Sequence, residues 1–191
     1  PELGFMYPSF DERSANIYNA LFYSRNVNED HQDFIDAVFK TQVPMPAGAQ
    51  QETFIDVMTG TLDKECSLSL MQGVHTELME RISVHKESRD PEPLSISPED
   101  MAEILENHGV SAEQAEAFEE KCREEFGENA ELSPANIIDS RHFKLETPEV
   151  KISVDPQHVH LVETRVIDGR RYILIPADNG VELNGMSVSI D

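Results

Sequence analysis

The sequence predicts an α+β protein: an N-terminal β-hairpin, a helical middle including an acidic αα-hairpin, and a C-terminal antiparallel β-meander. Three observations carry that prediction. Aromatic-rich runs precede Arg25, apolar residues recur at helical spacing between Phe34 and Phe126, and beyond Phe143 the period changes to two.

Gly4–Phe10 and Asn16–Ser24 are rich in Phe, Tyr, Ile and Leu, and the polar link Asp11–Ser14 separates them, so they pair as a hairpin. Pro8 confines the first strand to an edge or bulge position. Asp30 then offers an N-cap, with Asp33 in the first turn and Phe34, Ile35, Val38 and Phe39 at helical spacing. The run Val43–Gly48 breaks that helix. A second helix, from about Gln50 to Leu62, places Phe54, Ile55, Met58 and Leu62 on one face. A third, from about Leu68 to Lys86, carries the stripe Met71, Val74, Leu78 and Ile82.

Ser88–Pro98, with Pro91, Pro93 and Pro98 among charged residues, reads as a linker. Ser97, Pro98, Glu99 and Asp100 form a helix start: a capping hydroxyl, proline at the first helical position and acids in the first turn. Met101, Ile104, Leu105 and His108 mark one face, and Gly109 is the stop. Ser111–Gln114 repeats the capping pattern, Ala115, Phe118, Cys122 and Phe126 form the next stripe, and Gly127 closes it. The outer faces of this αα-hairpin carry Glu103, Glu106, Glu113, Glu116, Glu119, Glu120, Glu124 and Glu125 against Lys121 and Arg123.

Lys151–Val154, His158–Ile167 and Arg170–Pro176 read as strands. Asp168-Gly169 suits a type I′ turn, which needs positive φ at both positions. Asn179-Gly180 and Asn184-Gly185 add turns, with Val181, Leu183, Met186, Val188 and Ile190 as strand residues. Three regions follow: 1–90 (hairpin and three helices), 97–127 (acidic αα-hairpin) and 140–191 (C-terminal strands), the last also able to pack with the first as one domain.

Charge bounds the function. Fifteen Lys and Arg stand against 37 Asp and Glu, a net charge of -22. That field repels nucleic acid and anionic membrane surfaces, so neither is an expected partner. Cys66 and Cys122 lie far apart without CxxC spacing, which favours reduced thiols in a cytoplasmic protein. No apolar run reaches the roughly 20 residues of a membrane span and no secretory leader opens the chain. The start at Pro1, with an apolar stretch from Phe5, reads as a fragment lacking an N-terminal part.

The stretches Gly4–Ser14, Pro44–Gly48 and Leu161–Arg170 resemble a bacterial family of unknown function, domain of unknown function number four-three-one-seven, found mainly in Firmicutes. The resemblance spans essentially the whole chain. It implies bacterial cytoplasm and members about twice this length, with this chain as the C-terminal half. It supplies no catalytic residues.

The residues assemble no evident catalytic or cofactor site. His158 and His160 are the most chemical-looking pair, because alternate strand residues share a face and both imidazoles could approach one ion. Glu163 has the opposite parity, and no third ligand is evident. The plainer account is a solvated strand face. Cys66 and His75 are types that form nucleophile pairs, but a structural thiol explains Cys66 as well. His75 and His85 stand about 80° apart around one helix, poor geometry for shared ligation. Arg165, Arg170 and Arg171 flank a turn and are candidates for anion binding, with pairing to Glu163 as the alternative.

The reading that follows is a non-catalytic acidic interaction or scaffold module whose protein partner is basic. The alternatives are a metal-dependent hydrolase using His158 and His160, part of an enzyme whose active site lies in an N-terminal half, and an acidic decoy of nucleic acid. The apolar edge of the N-terminal hairpin also invites homodimerisation.

Overall fold

The computed structural model describes residues 2–10, 15–17, 20–26, 31–40, 45–90 and 92–189. Pro1, the link Asp11–Ser14, Tyr18, Asp30, Val43, Pro44, Pro91 and Ile190 lie outside the described residues.

The expected N-terminal hairpin forms in two pieces. Its outer ladder pairs β1 (Leu3–Met6) with β4 (Leu21–Ser24), and its inner one pairs β2 (Ser9–Phe10) with β3 (Ala15–Asn16). The break falls at the cis Tyr7–Pro8 peptide, where proline has no N–H for the ladder. Helix α1 (Gln32–Val38) lays Phe34 against Phe5 and Phe22, and Phe39 meets Phe5 edge-on, centroids 5.4 Å apart. The outer face stays bare: Phe10 is 66% exposed and Tyr7 64%.

Helices α2 (Ala47–Leu62), α3 (Leu68–Ser88), α4 (Pro98–Asn107) and α5 (Ala112–Phe126) build the core. Ser97 and Asp100 close a reciprocal capping box at the start of α4, with Pro98 at the first helical position. The Ser97 hydroxyl and backbone N–H hold the Asp100 carboxyl below its usual range. Gly109, at φ 96°, takes the left-handed conformation that ends α4. Ser111 departs from the expected pattern: its hydroxyl caps no backbone N–H and lies 3.2 Å from the Gln114 side chain.

Phe54 of α2 meets Phe118 of α5 edge-to-face, centroids 5.9 Å apart, and both are buried. Leu62, Val74, Leu78, Met101, Ile104, Leu105 and Cys122 complete the cluster around them. Several sequence expectations shift by a residue or two. Ile55 is exposed and Val57 takes its core place, because α2 starts at Ala47, directly after Pro46, and buries 54, 57, 58 and 62. The expected linker is partly structured: α3 runs to Ser88, and Ile96 exchanges both backbone bonds with Leu132 in an isolated antiparallel bridge. His108 does not join the buried face of α4 but caps its C-terminal end.

After the short helix α6 (Pro134–Ile137), β5 (Phe143–Glu146) pairs with β6 (Lys151–Val154). The expected strand from His158 is corrected. Pro156–Leu161 is a 3-10 helix, and β7 is only Glu163–Ile167. Asp155 explains the change: its carboxylate accepts the Gln157 N–H, and Pro156 occupies the first helical position. The turn Asp168-Gly169 has positive φ at both residues and joins β7 to β8 (Arg170–Leu174). Asn184-Gly185 does the same between β9 (Val181–Leu183) and β10 (Met186–Val188). The C-terminal strands therefore pair as separate two-stranded ribbons rather than as one continuous meander. Among the described residues, no helix is long and apolar enough to cross a membrane.

Two outcomes test this core. Phe118→Ala lowers the free energy of unfolding by about 3–5 kcal/mol, whereas Ile55→Ala stays within about 0.5 kcal/mol, as read from urea titrations. Burial, with the Glu119 charge beside it, pushes the Cys122 thiol up to about 12. A folded value above the unfolded one means that stability is intact below about pH 9 and is lost progressively as pH rises from 9 towards 12. Cys122→Ala flattens that alkaline decline, and a thiol reagent labels exposed Cys66 while the folded chain protects Cys122.

Candidate functional site

The face of α3 turned away from the core forms the floor of a groove of about 1130 Å³. Ser69, Gly73, Thr76, Glu80 and Val84 follow one another at three- and four-residue steps and so share that face. Leu94, His108 and His160 rise beside it as walls. The His160 wall is fixed from below. Gln72 of α3 donates its amide to the carbonyls of Val159 and Val162, both at 2.8 Å, while those two side chains are buried.

The other wall is a joint between α3 and α4. Glu77 accepts from Arg81 Nη2 at 2.9 Å through one oxygen, and its second oxygen lies 3.0 Å from His108 Nε2. With Nε2 carrying the proton, the imidazole donates to that carboxylate. Gly73 makes room for the ring: a Cβ built there would stand 2.8 Å from His108 Cε1 and 2.9 Å from Cγ, and closest of all to Nδ1. A glycine in a helix interior costs up to about 1 kcal/mol relative to alanine, and here it lets an imidazole lie on the backbone of α3. Nδ1 faces α3, so the ring is seated between Gly73 and Glu77 rather than offered to the groove as a proton acceptor.

The remaining polar groups are largely spent on each other. Thr76 Oγ1 donates to the Gln72 carbonyl at 2.8 Å, and His85 Nε2 lies 2.7 Å from the carbonyl of Glu92. Glu80 stands apart, exposed and with no ionic partner among the described residues. The floor therefore presents one unneutralised carboxylate between a threonine and an exposed valine, Val84, at 59%.

His158 and His160 come near each other on the 3-10 turn, ring centroids 6.2 Å apart and planes at 35°. His158 Nδ1 is 3.7 Å from Asp155 Oδ1, and both side chains are more than half exposed. Among the described residues, no group of three or more His, Cys, Asp or Glu is placed to hold a metal ion. Arg165 and Arg170 share one face of the β7–β8 ribbon and Arg171 lies on the other, because Arg165 opposes Tyr172, Ile167 opposes Arg170 and Val166 opposes Arg171. Arg165 pairs with Glu163, two residues back on its own strand, at 2.9 Å. Cys66 is exposed ahead of α3. His75 is buried within α3, its Nε2 3.2 Å from the Asp139 carbonyl and its ring edge-on to Phe143. The Asp139 carboxyl is held down to about 2 by Lys144, which donates at 2.7 Å, and by the N–H groups of Arg141 and His142.

Gly73, Glu77, Arg81 and His108 were not singled out as a site by the sequence. Two faint signals precede them: a glycine isolated inside a helical stripe, and the Glu77/Arg81 pair at i, i+4. The contact makes a sharp double-mutant expectation. In a His108→Ala background, Gly73→Ala stabilises the fold by about 1 kcal/mol, the ordinary gain in a helix interior. With His108 present that gain disappears, because the new methyl displaces the ring from Glu77. Urea unfolding of the four chains measures the coupling, and equal effects in both backgrounds refute the contact.

A family model, Domain of unknown function (DUF4317), matches residues 1–186. None of the curated proteins and none of the solved structures matches the chain. Nearly the whole sequence, the groove and the β7–β8 ribbon included, thus falls within one family model, and the chain belongs to the DUF4317 family.

Proposed function

We propose that this chain is a non-catalytic interaction module of a bacterial cytoplasmic protein, and that its α3 groove receives a cationic, amphipathic segment of a protein partner. One observation carries the reading. Gln72, Thr76, Glu77, Arg81 and His108 are engaged with one another or with backbone, which makes them walls, while Glu80 has no ionic partner among the described residues and stands on the floor. The imidazole of His108 is seated between Gly73 and Glu77, which makes it a wall of the groove rather than a proton acceptor turned to a ligand.

An amphipathic helix laid along α3 would bury Val84 and Leu94 and bring a lysine or arginine to Glu80, the usual division between apolar contact and charge selection in such grooves. The net charge of -22 favours the same class of partner through long-range attraction. The alternative, a metal-dependent hydrolase at His158 and His160, rests on two exposed imidazoles.

Capture experiments with the immobilised chain test the proposal. Partners retained at low ionic strength are released as salt rises, and Glu80→Arg or Val84→Asp abolishes their retention while leaving the melting temperature unchanged. Partners held equally by all three chains at every ionic strength overturn it.

A further inference from the structure

We propose that the β7–β8 ribbon docks on the acidic α5 face of a second copy of this chain. The ribbon is exposed on both faces, with Val166 at 69% and Tyr172 at 41%. A two-stranded ribbon is marginal in water without a covering layer, so this one gains from a partner surface. It also differs in charge from the rest of the molecule. Residues 163–174 hold three arginines against Glu163 and Asp168, a net +1 in a chain of net -22.

The complement lies on α5. Lys121 pairs with Glu124 and Glu125, and Arg123 pairs with Glu119. Glu113, Glu116 and Glu120 remain exposed with no ionic partner among the described residues, and their i, i+3, i+7 spacing aligns them on one face. Their successive rises along the axis are about 5 Å. Arg165, which pairs with Glu163 within one copy, and Arg170 are diagonal neighbours on one ribbon face, about 7 Å apart, a separation that long guanidinium side chains adapt to adjacent turns of a helix. Docking a ribbon on a different surface of the next copy is a heterologous contact, so the assembly grows head to tail into rings or chains.

The charge distribution gives this association an unusual salt profile. At about 0.01 M the Debye length is about 30 Å and repulsion between two acidic bodies dominates, whereas near 0.1 M it is about 10 Å and the local contact survives. Above about 1 M the contact itself is screened. Sedimentation velocity over a concentration series at these three ionic strengths therefore shows the strongest association at the middle one. The reversals R165E/R170E and E113R/E116R/E120R each weaken it by about tenfold or more, with thermal melts confirming the fold. Mixing the two reversed chains restores association, because each then carries the complement of the other. A monomer at all three ionic strengths, self-association indifferent to the reversals, or a mixture that stays monomeric overturns the proposal. Glu80→Arg leaves self-association unchanged, which separates this contact from the α3 groove.

Discussion

The edge-to-face contact of Phe54 and Phe118 is the centre to which the helices answer. It fixes α2 against α5, and α4 reaches the same cluster through Met101, Ile104 and Leu105. With those helices set, α3 has one face committed inward through Leu70, Val74 and Leu78, and the opposite face must look outward. The groove is thus a by-product of a well-packed core. Its walls are placed by two polar fastenings, Gln72 to the 3-10 turn and Glu77 to His108, each joining α3 to an element distant in sequence.

Much of this architecture was legible from local chemistry. The Ser97 capping box, the Gly109 stop and the Asp168-Gly169 turn are decided by residues within a few positions of one another, and each occurs as read. The helical stripes were also legible, although Ile55 shows that a stripe gives a face only to within one residue. What failed was the segment from Asp155 to Val162. The spacing of His158 and His160 suits a strand, but one Asp-Pro step starts a 3-10 turn and removes the alternation on which their common face was argued.

The groove was invisible for a different reason. Its defining contact lies between Glu77 and His108, which belong to separate helices, and nothing in a single sequence reports their distance. Gly73 was the one local trace, since a helix interior tolerates glycine poorly unless something needs the space. The arginines of the ribbon show the same limit. Their proximity in sequence suggested one anion site, while the ladder register divides them between two faces.

The Ile96–Leu132 bridge has a topological effect on the helices between its ends. Two reciprocal backbone bonds, at 2.8 and 2.9 Å, fasten the entry of α4 to the exit that follows α5. The segment 97–131 leaves and rejoins the chain at one point, like a lobe on a clasp. Changes in length or charge on its outward side are thereby insulated from the connectivity of everything else. Its inward contacts run through the buried side chains of α4 and α5, among them Leu105 and Phe118, and through the His108 bond to Glu77.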